Sequence, residues 1–153
     1  MDTGVRHPGL AEEIASGELR DALNEATGLG LEFERRESGG FADFNGDLRG
    51  VDAPTGRKAA VVVQEGESDN KHLLRLLRNA ADKDARVLVW IAGSVNRMHP
   101  STMEWLAGNL KDDVSVKFLA FSRETGFVPV TAKNWRKFKS VRRAGGEGTC
   151  PAG

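Results

Sequence analysis

The segment that most constrains the fold is Arg57 to Leu77, which reads RKAAVVVQEGESDNKHLLRLL. Its apolar run, Ala59 to Val63, is long enough for a strand and too short for a buried helix. An uninterrupted apolar strand is typical of the centre of a sheet that is covered on both faces. Polar residues begin at Gln64, and Ser68 or Asp69 is placed to cap a following helix. The segment therefore predicts a central strand, a polar turn and a helix, and open α/β sheets commonly carry their sites at the carboxyl end of such a strand.

The rest of the chain predicts further strands and helices around this unit. Residues 86–92 (RVLVWIA) predict a second buried strand, joined to the first by a helix over 70–83, so that the two strands lie side by side. The other predicted elements are a helix over 10–26 with a possible break at Ser16-Gly17, a helix over 98–109 capped by Ser101, and strands over 29–37, 41–51, 114–121 and 127–132. This order predicts an α/β fold with a central mixed sheet flanked by helices.

Hydrophobic spacing also predicts which side chains face the core. Trp90 and Trp105 are both predicted to be buried. On the helix over 70–83, the leucines form one face, whereas Lys71, Arg75 and Arg78 lie on or near the opposite, polar face.

Length and composition set outer limits on the class of protein. A chain of 153 residues predicts one domain, which we place at 1–143, followed by a flexible Gly-rich tail at 144–153. No apolar run approaches the length of a membrane span, and the first residues lack the basic-then-apolar pattern of a signal peptide. The single cysteine, Cys150, excludes an internal disulfide. These features predict a soluble, cytoplasmic protein that does not bind membranes.

The net charge is zero, but the charges are unevenly placed. Residues 1–132 carry 16 Lys and Arg against 21 Asp and Glu, whereas residues 133–153 carry six against one. Cations in this last stretch alternate with aromatic residues, and this pattern suits phosphate contacts and base stacking. The candidate nucleic-acid-binding residues are Lys133, Trp135, Arg136, Lys137 and Lys139. The alternative is that Trp135 and Phe138 dock this segment on the core while its charges remain in solvent.

Four motifs, in order over residues 10–138, resemble a known family. They are an Asp on the second strand of a hairpin, VVVQEGESDNKHL, VLVWIAGSVNRMHPSTMEWLAGN and FVPVTAKNWRK. Together they resemble the PD-(D/E)XK nuclease superfamily, and in particular a group of bacterial members with the strand motif I-E-N-Q and a later P-N-x-W motif. The resemblance implies a restriction-endonuclease-like three-layer core.

The resemblance also implies a site. Such nucleases hold Mg²⁺ with carboxylates, and the metal activates a water and stabilises charge on the phosphate. By alignment, the hairpin carboxylate is Asp47, which is the candidate metal ligand, and the conserved Gln is Gln64. The family's Glu falls on Val62, which cannot bind a metal. Glu67 in the turn, or Glu13 or Glu18 from the first helix, is a candidate for the missing carboxylate, so the candidate catalytic residues are Asp47, Gln64 and Glu67.

These candidates leave two classes of function open. The first is a DNA-binding protein of nuclease ancestry with weak or lost hydrolysis, which would need Mg²⁺ only if it is active; His72 is a further candidate for contact with nucleic acid. The second is a non-catalytic module that binds a protein partner, and a homodimer is one assembly left open. Each residue also has a purely structural interpretation: Asp47 as a solvated strand residue, Gln64 as a partner for backbone groups, and His72 as a helix-start hydrogen-bonding residue.

Overall fold

A computed structural model describes residues 9–140. The predicted tail at 144–153 and the adjoining residues 141–143 lie outside the described residues. The helices are α1 (Leu10–Ala15), α2 (Glu18–Thr27), α3 (Asn70–Lys83), α4 (His99–Asn109) and a 3-10 helix, Trp135–Phe138. The strands are β1 (Leu31–Phe33), β2 (Leu48–Asp52), β3 (Arg57–Glu67), β4 (Val87–Ser94), β5 (Ser115–Ser122) and β6 (Gly126–Pro129).

The six strands form one mixed sheet in sequence order, β1 to β6. Strands β1, β2 and β3 are antiparallel, β3, β4 and β5 are parallel, and β6 returns antiparallel to β5. The predicted adjacency of the two central strands is confirmed, because Ala59 pairs with Val87 and the strands stay paired to Gln64 and Ala92. Helix α3 makes the crossover between them.

Alternating side chains of the central strands fill two hydrophobic cores, one on each face of the sheet. Val61 and Val63 point to the face covered by α1 and α2, where Ile14 and Leu23 are fully buried. Val62 points to the other face and packs in a cluster with Leu76 of α3 and Met103 of α4. Strand β3 is buried on both sides because helices cover both faces, and this explains its continuous apolar run.

The predicted start of the helix after β3 and the predicted break in the first helix are both confirmed. Helix α3 begins after Asp69, whose side chain accepts a hydrogen bond from the backbone N–H of His72. The break at Ser16-Gly17 is confirmed, since it separates α1 from α2.

Three expectations are wrong. Trp105 is 64% exposed rather than buried, the N-terminal cap of α4 is Met98 rather than Ser101, and residues 41–47 form turns instead of a strand. The turns arise because the Asp43 carboxylate accepts the backbone N–H groups of Asn45 and Asp47. Helix α4 begins at His99, two residues before Ser101, with Pro100 in its first turn. Its residues Met103 and Leu106 pack into the second core, whereas Trp105 lies on the uncovered side of the helix.

Candidate functional site

The carboxyl edge of β3 and β4 gathers several of the predicted site residues. Here β3 continues past its apolar run to Glu67 through a register shift between Gln64 and Glu67. A side chain at Gly93 on β4 would lie 2.2 Å from the Glu65 carbonyl oxygen, so the bulged strand leaves room only for glycine there. The polar turn predicted directly after Gln64 is therefore an extension of the strand.

Gln64 is buried, and both ends of its amide are engaged. Its Nε2 donates to the Glu67 carbonyl oxygen at 2.6 Å, and its Oε1 accepts from Nε1 of Trp90 at 3.3 Å. These bonds favour the structural interpretation, in which Gln64 satisfies polar groups at the strand end. Gln64 reaches only the main chain of Glu67, whereas the Glu67 carboxylate accepts a hydrogen bond from the Asn96 side chain.

A buried hydrogen-bond network ties this edge together around Ser68 and His99. The Ser68 hydroxyl lies 2.7 Å from Nδ1 of His99, and Nε2 of His99 lies 2.8 Å from Oδ1 of Asn70. Because the Asn70 oxygen accepts from Nε2–H, Nδ1 of a neutral His99 accepts from the Ser68 hydroxyl. Burial lowers the pKa of His99, and the nearby carboxylates of Asp69 and Glu67 oppose this only in part.

Asn96 extends this network to the surface. Its backbone N–H donates to the Ser68 hydroxyl at 2.8 Å, and its side-chain amide donates to the exposed Glu67 carboxylate at 2.8 Å. Ser68 is 2% exposed, and its hydroxyl ties the end of β3 to Asn96 and to His99 at the start of α4. No sequence pattern marked this network, since its members come from two segments, 67–70 and 96–99, that lie far apart in the chain.

His72 lies on the first turn of α3 and is held by Asp69. Oδ1 of Asp69 accepts from the backbone N–H of His72 at 2.9 Å and lies 2.7 Å from its ring Nδ1. Burial raises the pKa of Asp69, but the hydrogen bonds from His72 outweigh it, and the net pKa is lowered. His72 also lines an open groove of 720 Å³ together with Gln64, Asn45 and Glu65.

Asp47 is buried and its carboxylate is bound by Arg75 of α3. Nε of Arg75 donates to Oδ2 at 2.8 Å, and Nη2 donates to Oδ1 at 2.8 Å. Nη2 also donates to the Asn45 carbonyl oxygen at 3.2 Å. The hydrogen bonds to Asp47 raise the pKa of Arg75, which keeps its guanidinium charged. Such a two-point contact fixes both groups.

Sequence reasoning missed Arg75, because the helical pattern placed it among solvated cations. The structure brings it from the polar side of α3 onto a carboxylate 28 positions earlier in the chain. A pairing of this kind depends on the packing of α3 against the sheet, and hydrophobic periodicity does not report it.

Val62 and the first helices lie on opposite faces of the sheet. Val62 is fully buried beside Leu76, on the face to which Arg75 also belongs. Helices α1 and α2 cover the other face. Glu13 of α1 instead binds Arg123, with Oε1 and Nη2 2.6 Å apart. Glu13 is therefore already engaged by Arg123 and does not stand in for the missing carboxylate in this structure.

The basic C-terminal segment adopts a 3-10 turn at the same edge of the sheet. The Phe138 carbonyl oxygen accepts the backbone N–H of Val95, directly after β4, at 2.8 Å. Trp135 and Phe138 pack partly buried against the second core. Four cations remain exposed, and these are Lys133, Arg136, Lys137 and Lys139. Trp135 and Phe138 therefore dock this segment on the core, as the alternative interpretation holds, and the four cations face solvent.

Within residues 9–140, no group of three or more His, Cys, Asp or Glu side chains is arranged to hold a metal ion. None of the helices in the described part of the chain is both long and apolar enough to cross a bilayer. No protein-family model, curated protein or solved structure matches this chain.

Proposed function

We propose that this chain is a DNA-binding protein of PD-(D/E)XK nuclease ancestry that has lost, or nearly lost, metal-dependent hydrolysis. The observation that carries the proposal is the position of the basic segment. The Val95–Phe138 hydrogen bond places it at the carboxyl edge of β4, beside the edge that holds Gln64, Glu67 and His72. Cations at this edge would meet the phosphates of a bound strand.

The order of elements supports a restriction-endonuclease-like core. A helical segment precedes three antiparallel strands, and a helix then crosses over to a fourth strand that runs parallel to the third. This is the arrangement that the sequence resemblance implies, with Asp47 at the start of the second strand and Gln64 on the third. Topology and motif order support only the proposed fold, whereas the proposed function rests on the residues of the site.

The loss of hydrolysis is supported by the state of the three motif positions. Both carboxylate oxygens of Asp47 are bonded to Arg75, Val62 is apolar and fully buried, and both ends of the Gln64 amide are bonded within the protein. Mg²⁺ requires several hard oxygen ligands. The residues as arranged do not fit this ion, because a metal at Asp47 would have to displace Arg75. We therefore derive no catalytic step through a metal.

A salt-dependent binding titration tests the proposal. We expect labelled single- or double-stranded DNA to bind in fluorescence-anisotropy titrations, with affinity that falls steeply with salt. Replacing Arg136, Lys137 and Lys139 with Ala should weaken binding across all sequences, because phosphate contacts carry little sequence information. If each side chain contacts one phosphate, the slope of log affinity against log salt should become shallower by about 2.7 on duplex DNA.

A control variant of equal charge change separates local contacts from net charge. Arg20, Lys111 and Lys117 are cations away from this edge, on α2, after α4 and near the start of β5. Their replacement with Ala should leave the salt slope nearly unchanged. Equal losses in the two triple variants, or no DNA binding by the natural protein, would contradict the proposal.

Exposed apolar side chains on α4 favour the alternative, a module that binds a protein partner. Met98 and Trp105 are 62% and 64% exposed, and their separation of seven residues places them on one side of the helix. Trp is common at the centre of protein interfaces. Sedimentation of the natural protein and of Trp105→Ala tests this alternative for self-association, which Trp105→Ala should abolish if α4 forms a homodimer.

A further inference from the structure

Arg49 on β2 is a cation for which the described part of the chain supplies no partner. Its Nε is buried and makes no hydrogen bond, and its guanidinium forms no ion pair within residues 9–140. Arg49 pairs with Ala60 in the sheet, and Ala60 belongs to the core under α3. The side chain therefore lies on the face that carries Arg75. Buried N–H groups are almost always bonded, so the unbonded Nε marks Arg49 as a cation that the described part of the fold has not paired.

The three carboxylates that line one cleft beside Arg49 already make bonds within the protein. Arg49 lines a cleft of 310 Å³ between the 43–47 turns and α3. In this cleft, Asp47 is bound at both oxygens by Arg75, and Asp82 is paired with Arg78 at 3.3 Å. Asp43 accepts two backbone N–H groups through Oδ1. The pairings leave Arg49 as a half-buried positive charge facing solvent.

A second cation lies beside it. Lys83, at the end of α3, lines the same cleft and also the small adjoining cavity that Arg49 lines. Glu34 and Lys58 also line that cavity and add one charge of each sign. Arg75 contributes as well, because its Nη1 takes no part in its hydrogen bonds to Asp47 and Asn45. Four cations and three carboxylates thus line this cleft. Asp47 fixes the position of Arg75, and Asp82 pairs with Arg78, so Arg49 and Lys83 have no ion pair there.

We propose that this cleft binds a phosphate oxyanion, with Arg49 as its main donor and Lys83 and Arg75 as supporting cations. A guanidinium suits this ligand because its planar fork gives two parallel N–H···O bonds to a phosphate group. The phosphate is either a free phosphate ion or a phosphodiester of a bound strand, and the second source rests on the proposed function.

Inorganic phosphate is the probe, titrated into the full chain by calorimetry against chloride of matched ionic strength. We expect binding to the natural protein and a rise in its thermal unfolding midpoint with phosphate concentration. Arg49→Gln should weaken phosphate affinity about tenfold or more, because it removes charge-assisted hydrogen bonds. Arg49→Lys keeps the positive charge but loses the planar fork, so it should also weaken phosphate affinity. This variant still tests the inference if Arg49→Gln fails to fold. Arg20→Gln, on the opposite face, is the matched control and should bind as the natural protein does.

Competition with DNA identifies the source of the phosphate. If phosphate displaces an oligonucleotide that lacks terminal phosphates, and Arg49→Gln weakens that oligonucleotide, the cleft holds a backbone phosphodiester. If phosphate binds through Arg49 without affecting DNA, the cleft is a site for free phosphate. Equal phosphate binding by the natural protein and Arg49→Gln, or no binding at all, would overturn the inference. DNA binding that depends on Lys137 but not on Arg49 would in that case leave the proposed function standing.

Discussion

Replacing Arg75 with Ala tests the assignment of Asp47 as a buried, ion-paired carboxylate. The Asp47 side chain is 5% exposed and that of Arg75 is 20% exposed, with two N–H···O bonds of 2.8 Å between them. Removing one partner of a fully buried pair costs about 3–5 kcal/mol, because a charge is left unpaired in a poorly solvated place. The partial exposure of Arg75 admits some water, so we expect a loss of about 2–4 kcal/mol in the free energy of unfolding.

Arg78 supplies a matched control on the same helix. Its bond to Asp82 is long, at 3.3 Å, and the two side chains are 70% and 54% exposed. Arg78→Ala should therefore cost within about 0.5 kcal/mol. Urea unfolding of both variants, followed by circular dichroism, measures the difference as a shift in midpoint at constant slope.

A double variant isolates the unpaired charge as the cause. Asp47→Asn combined with Arg75→Ala removes the buried charge as well as its partner. The double variant should therefore be more stable than the sum of the two single losses predicts. A loss for Arg75→Ala as small as that for Arg78→Ala would refute the reasoning and would leave Asp47 free to serve as a metal ligand.

Three other perturbations address the core and the network at the carboxyl edge. The free energy of unfolding should fall as pH drops below about 6.5, by up to about 1.4 kcal/mol per pH unit. The reason is that burial lowers the pKa of His99 in the folded state, so that unfolding lets His99 take up a proton. In urea titrations at several pH values, His99→Asn should lack this part of the pH dependence. Trp90→Ala should cost about 3–5 kcal/mol of stability, since Trp90 is fully buried and its ring is stacked 4.7 Å from that of Phe118. The exposed Trp105 is the control, because Trp105→Ala should change stability by less than about 0.5 kcal/mol. Thermal melts of the two variants measure this difference. Gln64→Ala should cost about 1–3 kcal/mol in the same melts, because it leaves the Trp90 N–H and the Glu67 carbonyl without a partner; an unchanged midpoint would show that Gln64 is free for another role.

The central unit of the fold was predictable because its signals are local. The apolar run of β3 and the cap at Asp69 each depend on residues close together in the chain, and the structure matches them. The apolar face predicted for α3 is confirmed only in part, because Leu76 is buried whereas Leu74 is 58% exposed. The adjacency of β3 and β4 followed from the general geometry of a strand–helix–strand crossover.

The candidate site was less predictable because its contacts join distant segments. Asp47 meets Arg75 across 28 positions, and Ser68 meets His99 across 31. The turns at 41–47 were mistaken for a strand because Phe41 and Phe44 were grouped with the apolar residues Leu48 and Val51. The competing signal was the Asp43 side chain, which bonds the backbone two and four residues later. Trp105 was assigned to the core by its residue type, and only the helix packing shows that its face is left uncovered.

The central claim is that this chain binds DNA and does not cleave it, and a cleavage assay under binding conditions tests it most directly. Labelled single- and double-stranded DNA would be incubated with the natural protein and Mg²⁺ or Mn²⁺, at concentrations where anisotropy shows that the DNA is bound. The account predicts bound DNA that stays intact, with Asp47→Ala giving the same result. Robust metal-dependent cleavage that Asp47→Ala abolishes would contradict the account.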